Sequence, residues 1–285
     1  MNLYLDSKDL INVLQKDTPC PVDHLEEILH RGGHKLAVSF YTVYEISVPL
    51  LRATSKTNVM ALLNRLERMP ITFVRSDVDS LELTEAVAAY SSKRDYRTIN
   101  VFVDRFDKAV DFHARPSTGI FMNYSLGETI WDLSYHGELK GLESYAHQMR
   151  KIVAADRLLK KPISLKANFV KTIERHMKLH NLSCPDVVLS DFASWIYENP
   201  KRCPAIRLIY EVSHKIVKNK TDILEDSDME DHQHLTCLPY VDLMTLDKRM
   251  HGYASQAFAC WDLDYPLRIL KSTQDMLNRL GPPPD

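Results

Sequence analysis

Five carboxylates stand where the local sequence changes character. Asp6 follows the apolar run LYL at 3–5, and Glu45 comes soon after KLAVSF at 35–40. Asp228 and Asp231 belong to DILEDSDMED (222–231), which carries six acids in ten residues, and Asp247 closes VDLMTLD at 241–247. Acids gathered into one crevice raise one another's pKa, and a divalent cation removes that cost. Hard Mg²⁺ or Mn²⁺ takes oxygen ligands and keeps several waters, so it suits such a set without a histidine or thiolate cage. Each acid also has an ordinary reading. Asp6 could cap a helix, Glu45 could oppose a helix dipole, and 222–231 could be a solvated loop. Four acids at strand ends, in order, favour the metal.

Other chemistries find less support. His232, His234 and Cys237 lie close together, but no second cluster completes a four-ligand zinc site, and His234 reads as a hydrogen-bonded residue of the core or of the site's surroundings. The five cysteines are scattered and form no CxxC pair, which argues against a disulfide framework or a thiolate zinc site and fits a reducing cytoplasm. The chain has only 8 glycines and neither GxGxxG nor GxxxxGK[ST], so Rossmann and P-loop nucleotide sites are out. There is no G-x-S-x-G elbow and no Cys–His pairing for nucleophilic catalysis.

The net charge of −2 hides an asymmetry. Residues 140–220 hold 16 Lys/Arg and 7 Asp/Glu, a balance of +9, and the rest of the chain carries −11. A basic segment beside an acidic one suits a protein that meets a polyanion on one surface and holds cations at another. Lys160, Lys161, Lys166 and Lys171 are the leading phosphate contacts, with Arg150, Lys151, Arg157, Arg175 and Lys178 nearby. Interleaved Tyr145, Phe169 and His176 are candidates for stacking on unpaired bases. A plain solvated helical face is the competing reading.

The elements that must position these residues follow from periodicity. Short apolar runs at 3–5, 35–40, 71–74, 241–247 and 267–270 predict strands. Between them, helical stripes occupy 24–30, the stretch after Phe40 through Leu51, 58–68 and 81–90. Strand–helix alternation of this kind predicts an α/β fold, with a parallel central sheet flanked by helices. From about 100 to 220 strand-like alternation is scarce, and amphipathic stretches at 142–159, 165–179, 187–197 and 205–217 dominate. A division follows: 1–95 and 222–285 build the α/β domain, and 96–221 is a large helical insertion. A late helix near 228–238, another through 250–258 and a last one in STQDMLNRL complete the pattern. In an open α/β sheet, the carboxyl ends of the strands hold the site, where Asp6, Glu45 and Asp247 fall.

These motifs resemble, in order, the acid motifs of PIN-domain ribonucleases. LYLD at the start, the glutamate of AVSFYTVYEI, the acid-opened late helix and TLDKRM carry the likeness. DMEDHQHLTCLPYVDLMTLDKRM is its most specific part and looks like the D-x-x-D-x-x-H…LPY-x-D…T-x-D segment of larger, bacterial PIN-like proteins. The resemblance covers roughly 1–75 and 222–275, and the middle of the chain carries no motif of the family. It implies a PIN-like sheet, Mg²⁺ or Mn²⁺ as cofactor, and metal-dependent hydrolysis of RNA. Asp6 matches the first family acid, Glu45 the second and Asp247 the fourth. The third is Asp231 or Asp228, which lie 14 and 17 residues before Thr245 and share one helical face. Asp242 reads as structural, and Thr245 first as a buried strand threonine and second as orienting a ligand or water.

The expected function is therefore that of a metal-dependent endoribonuclease, toxin-like or defence-related, acting on RNA or single-stranded DNA in the cytoplasm. Products with a 3′-hydroxyl and a 5′-phosphate follow from metal-assisted attack by water. A regulatory or inhibitory protein partner and oligomerisation are compatible with this class. The other class of function is a catalytically silent PIN-like scaffold that binds RNA or protein. No membrane association is expected, since no run approaches the ~18 apolar residues that a span requires. The opening MNLYLDSKDL lacks the basic region of a secretory or transit segment.

Overall fold

The structure is a computed structural model that describes residues 1–15, 22–51, 56–110, 124–135, 138–158, 164–182, 187–259, 261 and 268–281. Among the described residues, six strands alternate with helices over 2–103 and 243–280, with helices alone between them. In order they are β1 (Asn2–Tyr4), α1 (Ser7–Gln15), α2 (Val22–Arg31), β2 (Lys35–Val38), α3 (Phe40–Leu51), α4 (Lys56–Glu67), β3 (Ile71–Val74) and α5 (Val78–Ser91). Next come β4 (Phe102–Val103), α6 (Phe106–Val110), α7 (Leu126–Tyr135), α8 (Glu138–Arg157), α9 (Leu165–Leu179), α10 (Leu189–Glu198) and α11 (Pro204–Lys218). The chain closes with α12 (Asp226–His234), β5 (Leu243–Thr245), α13 (Lys248–Phe258), β6 (Ile269–Leu270) and α14 (Thr273–Leu280). Among the described residues, no helix is long and apolar enough to cross a membrane.

The strands form one sheet in the order β4-β3-β2-β1-β5-β6, parallel except for the antiparallel edge strand β4. Register places Leu3 beside Leu36 on one side and Leu243 on the other, so β1 is central. Successive strand residues point to opposite faces, and the core divides accordingly. Leu3, Leu36, Val38, Phe73 and Leu243 face a core shared with α1, α2, α3, α4, α6 and α7. Tyr4, Ala37, Val74 and Met244 face the opposite core, built from α8, α11, α12 and α13. The result is a helix–sheet–helix sandwich, and burial on both faces explains why its strands read as short apolar runs. A third cluster joins α5, α9, α10 and α11 through Leu83, Phe169, Ile173, Phe192 and Ile206.

The α/β sheet flanked by helices agrees with the sequence reading. β4, however, lies inside the stretch read as helical, and it pairs Phe73 with Val103. Phe106, Ala109, Leu126 and Ile130 join the sheet's first core. The sheet layer thus draws on residues from the 96–221 segment. Two residues are too few to show alternation, which is why no strand was expected there. Gly33 takes φ +59° and ends α2 just before β2, the left-handed turn that glycine accommodates without a Cβ clash.

Candidate active site

Asp6 stands where β1 passes into α1. Its backbone carbonyl accepts from the Leu10 amide at 2.9 Å, and its carboxylate takes the Ser7 amide at 3.0 Å. The Asp6 amide donates to Thr245 Oγ1 at 2.8 Å, which ties the ends of β1 and β5 together. Thr245 is fully buried and also hydrogen-bonds the Asp9 carboxyl. It positions two acids. Asp247 follows β5 and caps α13, accepting from the amides of Met250 at 2.6 Å and Arg249 at 3.1 Å. Glu45 projects from the second turn of α3, which follows β2, and Asp231 lies on α12. Because β1, β2 and β5 are parallel neighbours, the segments after them emerge at one edge of the sheet.

The electrostatics show that these acids sense one another. Burial first, then the negative charge of Asp6, with Glu45 and Asp247 adding, push the Asp231 carboxyl up to about 8. Burial likewise raises Asp6 to about 6, with Glu45 and Asp9 adding and His234 opposing. Asp9, one helical turn beyond Asp6, is also raised, chiefly by burial. It was not singled out from the sequence, although an i, i+3 pair on a helix is a readable signal.

His234, the last residue of α12, supplies the positive charge inside this cluster. Its side chain is 1% exposed, and Nε2 lies 2.9 Å from Glu45 Oε1 and 3.4 Å from Ser7 Oγ. Burial alone would lower its pKa, but Glu45, Asp6 and Asp231 outweigh burial and raise it to about 9. The charged ring donates from Nε2 to Glu45 and from Nδ1 to the Tyr4 hydroxyl. Tyr4 in turn meets Ser39 at 2.7 Å and Thr42 at 2.8 Å, so a buried polar chain fixes the imidazole. Burial would raise Glu45 as well, yet the His234 charge and hydrogen bond hold it below the usual range. Tyr4, Ser39 and Thr42 were not legible as site residues, because their convergence depends on how α12 docks over β1.

Asp228 is placed differently. It closes a capping box at the start of α12, accepting from the Glu225 amide at 2.7 Å, and it pairs with the Arg249 guanidinium. Of the two acids left open by the sequence, Asp231 is the one coupled to Asp6, Glu45 and Asp247. Asp242 binds the Asn2 amide at 2.7 Å, a structural role. His232 is buried against α11, bonded to Ser213 and the Ile209 carbonyl, and burial pushes its pKa down to about 4. Burial pushes the Cys237 thiol up to about 12, and the group of three close metal-ligating atoms found among the described residues includes none of His232, His234 and Cys237.

The basic segment needs correction at its aromatic positions. Phe169 is fully buried in the third core cluster and cannot stack on a base, and His176 is engaged by Asp79 at 3.0 Å. Tyr145, Lys160 and Lys161 lie outside the described side chains. Lys166 and Lys171 are exposed on α9, and Lys166 reaches Glu198 at 3.3 Å. Arg157 is committed to the carbonyls of Ile216 and Asp222. α9 packs on α5, α10 and α11, whereas α8 packs on α3 and α12, the helices that carry Glu45 and Asp231. Beside Glu45 a shallow pocket opens, lined by Tyr41, Tyr44, Ala146, Met229 and Gln233.

The cleft acids are not drawn tightly together. Among the described residues, the group of three whose ligand atoms all lie within 4.8 Å of one another is elsewhere, at Asp79, His176 and His180. Comparison with protein families, curated proteins and solved structures finds no match to this chain.

Proposed function

We propose that the acid cleft holds Mg²⁺ or Mn²⁺ and hydrolyses phosphodiester bonds of RNA, on a PIN-like sheet with the helical middle as an insertion. The observation that carries this reading is the convergence on Asp231, whose carboxyl is raised by burial and then by Asp6, Glu45 and Asp247 from three other segments. Asp6 and Asp231 are raised by neighbouring acids as well as by burial, and at the carboxyl edge of a parallel sheet this supports a functional reading. Asp6, Glu45, Asp231 and Asp247 would hold the cation directly or through water. A bound cation would supply Lewis acidity at the phosphate and orient the attacking water. Asp231, raised to about 8, can hold or release a proton near neutrality. His234 balances the carboxylates when no cation is present, and its Tyr4–Ser39–Thr42 support keeps the ring in place. Phosphates beyond the scissile one would run along α8, packed against α12, where Lys151 is exposed and Arg150 would exchange its 2.9 Å ion pair with Asp226 for a phosphate.

A second reading, a catalytically silent scaffold, is favoured by one observation: the His234 imidazolium already neutralises part of the cleft. The experiment that separates the two incubates end-labelled single-stranded RNA with the purified chain and Mn²⁺ or Mg²⁺. The nuclease reading expects cleavage to 5′-phosphate and 3′-hydroxyl ends, lost in Asp6→Asn and Asp231→Asn. No cleavage of RNA or DNA with either metal leaves the scaffold reading in its place.

A further inference from the structure

Away from the cleft, Asp79 in the first turn of α5 faces two imidazoles from α9. Asp79 Oδ2 lies 3.0 Å from His176 Nδ1 and 2.8 Å from His180 Nε2, and the three ligand atoms all fall within 4.8 Å of one another. His176 and His180 are four residues apart, so the helix places both rings on one face, with their planes only 27° apart. The apolar residues beneath them, Phe169, Ile173 and Met177 on α9 with Leu83 and Ala86 on α5, are packed into one core cluster. Two rigid elements therefore hold the three donors in place before any ligand arrives.

We propose that Asp79, His176 and His180 form a transition-metal site that takes Zn²⁺ and pins α9 to α5, independently of the acid cleft. Two imidazole nitrogens and one carboxylate oxygen suit Zn²⁺ far better than Mg²⁺, which prefers an all-oxygen shell. Zinc bonds of about 2.0–2.2 Å in a tetrahedral shell need ligand atoms roughly 3.3–3.5 Å apart. The Asp79–His contacts must open by a few tenths of an ångström, within reach of small side-chain rotations. The side chains of Asp79, His176 and His180 are 27%, 22% and 13% exposed, so a water can complete the shell from solvent. Ser80 steadies the rotamer of a neighbouring contact: its amide donates to Asp79 Oδ1 at 2.9 Å, leaving Oδ2 for the metal.

The test titrates the full-length chain with Zn²⁺ alone by calorimetry, and records the visible spectrum of the Co²⁺-substituted form. One equivalent is expected to bind with a rise in melting temperature, since a ligand that binds only the folded state stabilises it. Co²⁺ should give the absorption of a four-coordinate site with nitrogen ligands. His176→Gln and His180→Gln should each weaken binding by about 100-fold or more, because loss of a ligand exceeds the 10–100-fold cost of losing an outer partner. Asp6→Asn and Asp247→Asn should leave it unchanged, which keeps this result separate from the fate of the nuclease reading. The proposal is overturned if the wild type takes up no Zn²⁺, or if the folded double variant His176→Gln/His180→Gln binds it as tightly as wild type. Either result would make the cluster a hydrogen-bonded tie between two helices.

Discussion

Asp247 caps α13, and the proposed cation site gives the same carboxylate a second role that substitution separates from the first. Its oxygens cap α13 through the amides of Arg249 and Met250. Asparagine caps a helix about as well as aspartate. Asp247→Asn should therefore keep the melting temperature near that of wild type and abolish cleavage, whereas Asp247→Ala should lose both activity and about 1 kcal/mol of stability. Thermal melts beside an RNA-cleavage assay check both. Asp231 behaves in the opposite sense. Its folded-state pKa of about 8, against 3.8 for the free group, means that stability falls as pH rises between the two values, because the unfolded carboxyl has lost its proton and folding must take one up or bury the charge. Asp231→Asn should raise stability at pH 9 relative to wild type and change it less at pH 4, as urea denaturation at the two values would show. Asp6, Glu45 and Asp247 could be found from the sequence because each follows an apolar run that becomes a parallel strand. Asp228 and Asp231 could not be told apart, since three-residue spacing puts both on one helical face. Only the docking of α12 commits Asp228 to Arg249 and Asp231 to the cleft.

Among the elements, α11 depends on a buried acid from a different helix. Glu82 on α5 accepts from the amides of Ala205 at 2.7 Å and Ile206 at 3.0 Å at the start of α11, and from the Tyr240 hydroxyl. Burial pushes this carboxyl up to about 7 even though those three donors oppose the shift. Glu82→Ala would leave buried donors unsatisfied at a cost of about 1–3 kcal/mol for each lost partner. Glu82→Gln, which keeps an acceptor oxygen, should lose less. A drop in melting temperature that is larger for Ala than for Gln is the expected result, and equal melts would contradict the capping role. Tyr240, in the LPY stretch, thus has a structural partner in Glu82. The helix at 165–179 was legible to the residue because its apolar stripe is unbroken between Ser164, which caps it, and Asn181, which takes φ +52°. The α12 boundaries were less clear, since a helix of nine residues dominated by acids and histidines has almost no apolar period. The third core cluster was invisible to periodicity, which shows that a helix has an apolar face but not what that face meets.

Across the whole molecule, the buried ionisable groups set a pH profile with a definite direction. Asp6, Glu82 and Asp231 have folded pKa values raised to about 6, 7 and 8, and His234 is raised to about 9. Stability from the three acids is fully present below about pH 4 and is lost as pH rises through 6 to 8, while that from His234 is lost as pH rises from 6.5 through about 9. On the acid side, Asp79 is held near 2 by its two histidines after burial is outweighed, and His232 is lowered to about 4 by burial. Stability from His232 falls as pH drops from 6.5 toward 4, and that from Asp79 as it drops from 3.8 toward 2. The metal-free protein should therefore be most stable in mildly acidic solution and weaken toward pH 9. Mn²⁺ should lift the alkaline limb specifically, because the cation needs the deprotonated cleft acids. Melting curves across pH with and without Mn²⁺ check this, and a uniform shift at every pH would contradict it. The α/β layering was readable from the chain because both faces of the sheet are covered and its strands appear as apolar runs. Which basic helix borders the cleft was not readable, because charge counts carry no information about packing partners. The most direct test of the central claim is anomalous diffraction from crystals soaked in Mn²⁺. A single strong peak is expected between Asp6, Glu45, Asp231 and Asp247, about 2.0–2.3 Å from at least one carboxylate oxygen, and absent in crystals of Asp6→Asn/Asp231→Asn. A cleft without a peak at saturating Mn²⁺, in crystals where the four carboxylates are well ordered, would contradict it.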